Sequence, residues 1–213
     1  MLKLLGGVIV VGIIIISMVL HELAHGWVAY KLGDDTAKED GRLTLNPLKH
    51  LDPFMSVILP VLLYLSGGVV FGGAKPVPVN FSRVKGGVWG MALVALAGPM
   101  TNFLLAFGGF LVGYYMGVLD GAAGAIGQLI GVEFIIVNLG FMVFNLLPLP
   151  PLDGSRVIYA VMPDGVRSMM DSLEKVGLVF VYILIVLGGR VFTVLMSGAI
   201  TGILNGFYWI VGA

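Results

Sequence analysis

The chain has 213 residues, of which 58% are apolar and only 11% are charged. A water-soluble domain carries about a quarter charged residues, so this composition excludes an ordinary soluble globule and predicts a membrane protein. The formal net charge is zero, which removes the electrostatic basis for binding nucleic acid, and the absence of cysteine excludes disulfides and thiolate metal ligands.

Crossing the hydrocarbon core takes about 20 apolar residues, and five apolar segments are candidates for membrane spans, of which 175–189 is short. In chain order they are 4–30, 88–118, 125–147, 175–189 and 191–211. The last two form a pair that turns at 188–190. A shorter apolar block, 54–73, contains Pro60, and AKPVPVNFSRVK follows it as extended chain. These patterns predict an all-α polytopic membrane protein with about five transmembrane helices, a re-entrant segment and a short membrane-associated β-hairpin.

The first predicted helix contains HELAH, an HExxH pattern that includes His21, Glu22 and His25. Positions i and i+4 share one face of a helix, so both imidazoles can bind one metal ion, with Glu22 beside it to take a proton from water. The helix rises roughly 25 Å from residue 4 to residue 21, which places the motif inside a hydrocarbon core about 30 Å thick. A chance match does not explain an acid there, where it costs on the order of 3 kcal/mol at mid-membrane. We therefore interpret the motif as a metal site.

A catalytic zinc uses three protein ligands and keeps one position open, so the two histidines need a partner. Asp153 is the candidate, because it follows the helix 125–147 within FNLLPLPPLDG. The prolines end that helix, and the freed backbone at membrane depth is tolerated only where it lines a cavity. Glu133 lies at the wrong depth, and His50 is predicted to be an ordinary loop residue. The alternative for Asp153 is a cap on the next helix, SRVIYAV.

The chain resembles the site-2 protease family of intramembrane zinc metalloproteases, in a compact form without a PDZ or CBS domain. The resemblance covers residues 17–161 and rests on five motifs in family order: HELAH, GRLTLNP, AKPVPVN, AGPMTN and FNLLPLPPLDG. It implies Zn2+ bound by His21, His25 and Asp153, with Glu22 as the catalytic general base.

The resemblance also implies roles for two asparagines. Asn145 would help to hold the substrate or the developing oxyanion. Asn102, in the pattern GPxxN, matches a family position that lines the core and is a second candidate for the substrate or the oxyanion. The alternative for Asn102 is an interhelical hydrogen bond. The whole chain, 1–213, is then one intramembrane metalloprotease domain, with a catalytic core at about 4–161 and a C-terminal helical pair at about 172–211.

The expected function is a zinc metalloendopeptidase that hydrolyses peptide bonds within or near transmembrane segments, as in regulated intramembrane proteolysis. Its expected partners are transmembrane protein substrates and the lipid bilayer. The segment 69–79 could pair with an unwound substrate as an added strand, or could be a plain connector. The alternatives are a membrane metal-binding or transport protein, a non-catalytic scaffold with the same fold, and a membrane-anchored protease with a cytoplasmic site. The intact Glu22 argues against the scaffold.

The distribution of basic residues predicts the orientation in the cell membrane. Ten of the 12 lysines and arginines lie on the side reached by the C-terminal ends of the first and third helices, so the active site should face the cytoplasm. A metal bound by His25 and Asp153 requires both residues on one side. Two crossings, by 88–118 and 125–147, satisfy this condition, so the block 54–73 is expected to dip into the membrane and return.

Overall fold

The structure is a computed structural model that describes residues 2–53, 58, 62 and 75–213. Its helices are α1 (Leu2–Lys31), α2 (Thr36–Glu39), a 3-10 turn (Pro47–Lys49), α3 (Gly87–Tyr115), α4 (Gly124–Asn145), α5 (Asp153–Tyr159), α6 (Asp164–Glu174) and α7 (Leu178–Val211). Every regular element in this described part is helical, which confirms the predicted all-α class. Four helices, α1, α3, α4 and α7, are long and apolar enough to cross a membrane. The chain is a membrane protein.

The predicted limits of the first three long helices agree with the observed limits to within three residues. Local chemistry explains this agreement at both ends of α3. The helix begins behind Gly86, with φ of 94°, and ends shortly before Gly117, with φ of 64°. Such left-handed backbone is strained for residues with a side chain and easy for glycine, so these positions interrupt an otherwise continuous apolar run.

The predicted C-terminal pair is present in α7 as two helical stretches that meet at a kink at Gly189, with φ of 23° and ψ of −96°. The predicted turn at 188–190 is therefore confirmed, since glycine adopts this non-helical backbone easily. The stretch after the kink, 190–211, would rise about 33 Å at about 1.5 Å per residue, enough to cross a hydrocarbon core.

The apolar core lies between α3, α4 and the last part of α7. Its buried members are Ala106, Phe110, Ile135, Leu139 and Phe207. The ring of Phe207 lies 5.4 Å from that of Phe110, centroid to centroid. This packing fixes α3 and α4 side by side and joins the end of α7 to the end of α3.

Exposed apolar and aromatic side chains follow the pattern of a lipid-facing surface. Leu104, midway along α3, is 62% exposed, and Leu187 on α7 is 80% exposed. Trp89 and Tyr115, near the two ends of α3, are also exposed. They are separated by about 39 Å along the helix, close to the distance between the two interfacial regions where Trp and Tyr concentrate.

The chain on either side of the predicted re-entrant block, 54–73, meets at one place. Almost all of that block lies outside the described residues, but the Lys75 N–H donates to the His50 carbonyl at 2.9 Å. Arg42 is buried and donates from its guanidinium to the Lys75 carbonyl at 2.8 Å. His50 is buried in the loop, where its Nε2 donates to the Thr44 carbonyl at 2.8 Å, so its structural role is that of a loop residue.

Residues 75–80 are extended chain that forms neither helix nor strand, and residues 69–74 of the predicted hairpin lie outside the described part. The buried Asp34 joins this extended chain to the end of α1, because its carboxylate accepts from the Asn80 N–H at 2.6 Å and the Thr36 N–H at 3.1 Å. Burial alone would raise the pKa of Asp34, but the hydrogen bonds from Thr36 and Asn80 outweigh it and lower that pKa below its ordinary value.

Candidate metal centre

The fold brings together the three side chains predicted to bind metal. His21 and His25 lie one turn apart on α1, and Asp153 is the first residue of α5. The two Nε2 atoms are 3.0 Å apart, and Asp153 Oδ2 lies 3.2 Å from His21 Nε2 and 3.3 Å from His25 Nε2. Ligand atoms on a tetrahedral zinc, with bonds of about 2.0–2.1 Å, are separated by about 3.3–3.4 Å. The three atoms therefore form a triangle close in size to one face of a zinc tetrahedron.

The donor chemistry of this triangle fits a cation. His21 Nδ1 donates to Asn102 Oδ1 at 2.6 Å, and His25 Nδ1 donates to the Val94 carbonyl at 2.7 Å. A neutral imidazole with its proton on Nδ1 has a lone pair on Nε2. Asp153 Oδ2 is buried and accepts no hydrogen bond from the described residues. When both imidazoles are neutral, three lone pairs face one point with no proton between them, an arrangement that a bound cation stabilises.

Glycine allows α3 to lie directly against the two imidazoles. A Cβ atom on Gly98 would lie 2.4 Å from His25 Nε2 and 2.5 Å from His21 Nε2, well inside van der Waals contact. Asn102 is one turn further along the same face of α3, where it reaches His21. The AGPMTN motif therefore supplies both the space for the imidazoles and a hydrogen-bond acceptor for one of them.

A second glycine positions the aspartate. A Cβ atom on Gly154 would lie 2.2 Å from the Leu146 carbonyl oxygen, so only glycine lets α5 begin this close to the end of α4. Leu152 occupies the N-cap position of α5, and Asp153 is the first helical residue. The alternative of Asp153 as the helix cap was therefore wrong. Its carboxylate points to the histidines instead.

Glu22 is half-buried and held by a backbone group that sequence reasoning did not identify. Its Oε2 accepts a hydrogen bond from the Val77 N–H at 2.8 Å. Val77 is buried against α1, where a Cβ atom on Gly26 would come within 2.8 Å of Val77 Cγ1. The extended chain 75–80 therefore lies along the HExxH helix beside its acidic residue. The AKPVPVN motif was the available signal for this contact, but its partner could not be read from it.

The two predicted asparagines differ in what they contact. Asn102 is buried, and besides accepting from His21 it donates to Asn138 Oδ1 at 2.8 Å. Asn145 donates to the Phe141 carbonyl of its own helix at 3.0 Å, so the structure does not join it to the metal-binding side chains. Its role at the substrate or oxyanion stays a prediction. Asn138, also buried, was missed; a polar residue within the apolar helix 125–147 was the only sequence signal.

The fold and the site together define a class of protein. The chain has four helices able to cross a membrane, and it brings together a histidine, histidine and aspartate group, with a carboxylate next to it in an HExxH sequence. These features are typical of a membrane metallohydrolase with a single metal ion.

Comparison with known proteins gives the family. The chain is 45% identical over 178 residues to YwhC of Bacillus subtilis (strain 168), covering 81% of the chain and 78% of YwhC. It is 31% identical over 174 residues to Rip2 of Mycolicibacterium smegmatis, covering 81% of the chain and 64% of Rip2. It is 31% identical over 142 residues to MJ0611 of Methanocaldococcus jannaschii, covering 67% of the chain and 64% of that protein.

These three relatives all carry the name "putative zinc metalloprotease". The chain therefore belongs to the site-2 protease family of zinc metalloproteases, and its metal is zinc. No family model and no solved structure matches the chain.

Proposed function

We propose that this chain is an intramembrane zinc metalloendopeptidase that hydrolyses peptide bonds within or near transmembrane segments of membrane-protein substrates. The observation that carries the proposal is the triangle of His21, His25 and Asp153 in contact with the apolar helices α1 and α3. The placement of Glu22 between the two histidines in sequence adds the general base that hydrolysis requires.

Three side chains would hold the zinc ion, through Nε2 of His21, Nε2 of His25 and Oδ2 of Asp153. When bound, zinc supplies a Lewis acid that polarises a peptide carbonyl and acidifies water, and a fourth position remains open. The hydrogen bonds at the two Nδ1 atoms orient the imidazoles, which keeps both Nε2 lone pairs directed at the metal position.

Glu22 moves the protons. The hydrogen bond from Val77 occupies Oε2, which leaves Oε1 to accept a proton from the attacking water and return it to the leaving amine nitrogen. Asn145 is proposed to contact the substrate or the developing oxyanion after rotating away from the Phe141 carbonyl. Both polar atoms of Asn102 are engaged within the protein, so we propose that Asn102 positions His21 and does not contact the substrate.

The extended chain 75–79 is better suited to supporting the base than to pairing with a substrate. The N–H groups of Lys75 and Val77 are bonded within the enzyme, and Pro76 and Pro78 have none. In this described stretch, only the N–H of Val79 remains for a substrate. A substrate that paired with the enzyme as an added strand would have to use Val79 together with residues 69–74.

The proposed topology has four crossings, by α1, α3, α4 and the part of α7 after Gly189. The part of α7 before Gly189, 178–188, extends only about 17 Å and is too short to cross. The ring of Tyr208 lies 4.9 Å from that of Phe110, so α7 ends beside the far end of α3 from the histidines. The bond between His50 and Lys75 supports a block 54–73 that returns to the side it left.

We further propose that the metal site lies toward the cytoplasm in a multi-pass protein of the cell membrane, with the bilayer and transmembrane proteins as partners. The excess of basic residues at that end supports this orientation. A metal transporter would need ligands along a path through the bilayer. The part of the chain that the structure describes contains one such group of three or more ligand residues, at a single level.

The decisive experiment compares zinc content and cleavage of a panel of single-span substrates by purified wild type and Glu22→Gln in proteoliposomes. We expect Glu22→Gln to retain zinc and to lose cleavage by on the order of 1000-fold, since general bases contribute about 100- to 10,000-fold. His21→Ala should lose both properties. Glu133→Gln, which neutralises another acid within a long apolar helix, should keep both. Equal cleavage by wild type and Glu22→Gln would refute the catalytic assignment.

A further inference from the structure

A buried chain of hydrogen bonds leads from the metal site into the middle of α4. His21 Nδ1 bonds Asn102 Oδ1 at 2.6 Å, Asn102 Nδ2 donates to Asn138 Oδ1 at 2.8 Å, and Asn138 Nδ2 donates to the Phe134 carbonyl at 2.8 Å. Both asparagines are fully buried. The chain crosses from α1 through α3 to α4, so the three side chains come from three different helices.

The direction of every bond in this chain follows from its last member. The Phe134 carbonyl can only accept, so Asn138 must turn its NH2 group toward it and its Oδ1 toward Asn102. Asn102 must then present NH2 to Asn138 and Oδ1 to His21. Since Oδ1 can only accept, the proton of a neutral His21 is required on Nδ1, which leaves the lone pair on Nε2.

Without Asn138, Asn102 could rotate its amide by half a turn and exchange oxygen for nitrogen at the same place. Asn102 would then donate to His21 Nδ1 and favour the tautomer with the proton on Nε2. That proton would occupy the lone pair that the metal needs. His25 does not share this problem. Its Nδ1 donates to the Val94 backbone carbonyl, which is fixed by its helix and has no alternative orientation.

We propose that Asn138 is a positioning residue that holds His21 in its metal-binding tautomer by fixing the orientation of the Asn102 amide. The inference rests on the proposed function, in that His21 binds the metal there. Asn138 acts through Asn102 and touches neither metal nor substrate.

The first test measures the zinc dissociation constant of the full chain in detergent, by competition with a chromophoric chelator. Asn138→Ala and Asn138→Leu both remove the acceptor. The alanine variant leaves a cavity, and the leucine variant fills it. Both should weaken zinc binding by about 10-fold, the lower end of the range for residues that support metal ligands. Should one variant fail to fold, the other still gives the measurement.

A double-mutant cycle separates orientation from packing. Asn102→Asp replaces the amide by a carboxylate that can only accept, so His21 keeps its proton on Nδ1 whichever way residue 102 turns. In that background Asn138→Ala should change zinc affinity by less than about 3-fold, because neighbouring sites with one shared mechanism are not additive. An equal loss in both backgrounds would mean that Asn138 acts by packing alone, and would overturn the proposal.

Nitrogen-15 NMR of the imidazoles in the metal-free chain reads the tautomer directly, and the chain has only three histidines. Asn138→Ala should shift the proton population of His21 from Nδ1 to Nε2. His50 is an internal reference, because its Nε2 donates to the Thr44 carbonyl and should not respond.

The same measurements distinguish failure of this inference from failure of the proposed function. If His21→Ala binds zinc as tightly as wild type, the metal centre itself is wrongly assigned, and both proposals fall. If His21→Ala loses zinc while Asn138→Ala and Asn138→Leu keep wild-type affinity and an unchanged His21 spectrum, only the role of Asn138 is refuted.

Discussion

Gly98→Ala is expected to destroy the metal site while leaving the fold almost intact. The added Cβ would lie 2.4 Å from His25 Nε2 and 2.5 Å from His21 Nε2. Restoring ordinary contact at 3.4 Å or more requires a displacement of about 1 Å, whereas a metal site tolerates deviations of only about 0.2 Å. We therefore expect zinc affinity to fall on the order of 100-fold or more, at least the upper end of the range for residues that support metal ligands.

The effect on stability should be much smaller. Alanine stabilises a helix by about 1 kcal/mol relative to glycine, whereas overpacking a core costs about 1–3 kcal/mol. The two effects oppose each other, so the metal-free protein should lose about 2 kcal/mol or less. Chelator competition gives the zinc affinity, and thermal unfolding of the metal-free protein in detergent gives the stability.

Gly108→Ala is the matched control on the same helix, since a Cβ atom there meets nothing within 4 Å. It should leave zinc affinity unchanged. If Gly98→Ala binds zinc as tightly as Gly108→Ala, then α3 does not lie against the imidazoles in the way the structure shows, and the reasoning is refuted.

Two further predictions concern the loops around the site. Asp34→Asn should destabilise the protein by about 2 kcal/mol at pH 7, because Asp34 accepts hydrogen bonds in its charged form. Since the folded pKa of Asp34 lies below its unfolded value of about 3.9, this stabilisation is present above about pH 4 and is lost as the pH falls through the folded value. The melting temperatures of wild type and variant should therefore converge in acid, and a constant gap would contradict the pKa shift. The chain has no cysteine, so Lys49→Cys and Lys75→Cys can be made in the wild-type background and labelled with an impermeant maleimide. Both should react from the same face, and labelling from opposite faces would exclude a block 54–73 that returns.

The grouping of His21, His25 and Asp153 could be predicted because the signals for these residues are local in sequence. His21 and His25 share a face through helical spacing alone, and the prolines after residue 147 end a helix wherever it lies. Asp153 was the candidate because it directly follows that proline-rich break. The limits of α3 and α4 were also predictable, since glycines and loss of apolar character mark them.

The supporting contacts could not be predicted because they join residues that are distant in sequence. Val77 lies 55 residues from Glu22, and Asn138 lies 36 residues from Asn102. No spacing rule relates such pairs, and each depends on how closely two elements approach. The break at Gly189 was predictable, by contrast, because the two adjacent glycines at 188 and 189 mark it locally.

The hydrogen bond between His50 and Lys75 holds the two ends of the intervening stretch, 51–74, next to each other. Two residues after Lys75, the Val77 N–H donates to the carboxylate of Glu22, the proposed general base. Because of the bond between His50 and Lys75, we expect insertions, deletions or substitutions within 51–74 to leave the proposed proton transfer by Glu22 unaffected. We expect such changes to alter which transmembrane helices are admitted, while the intrinsic rate on a short soluble peptide stays constant.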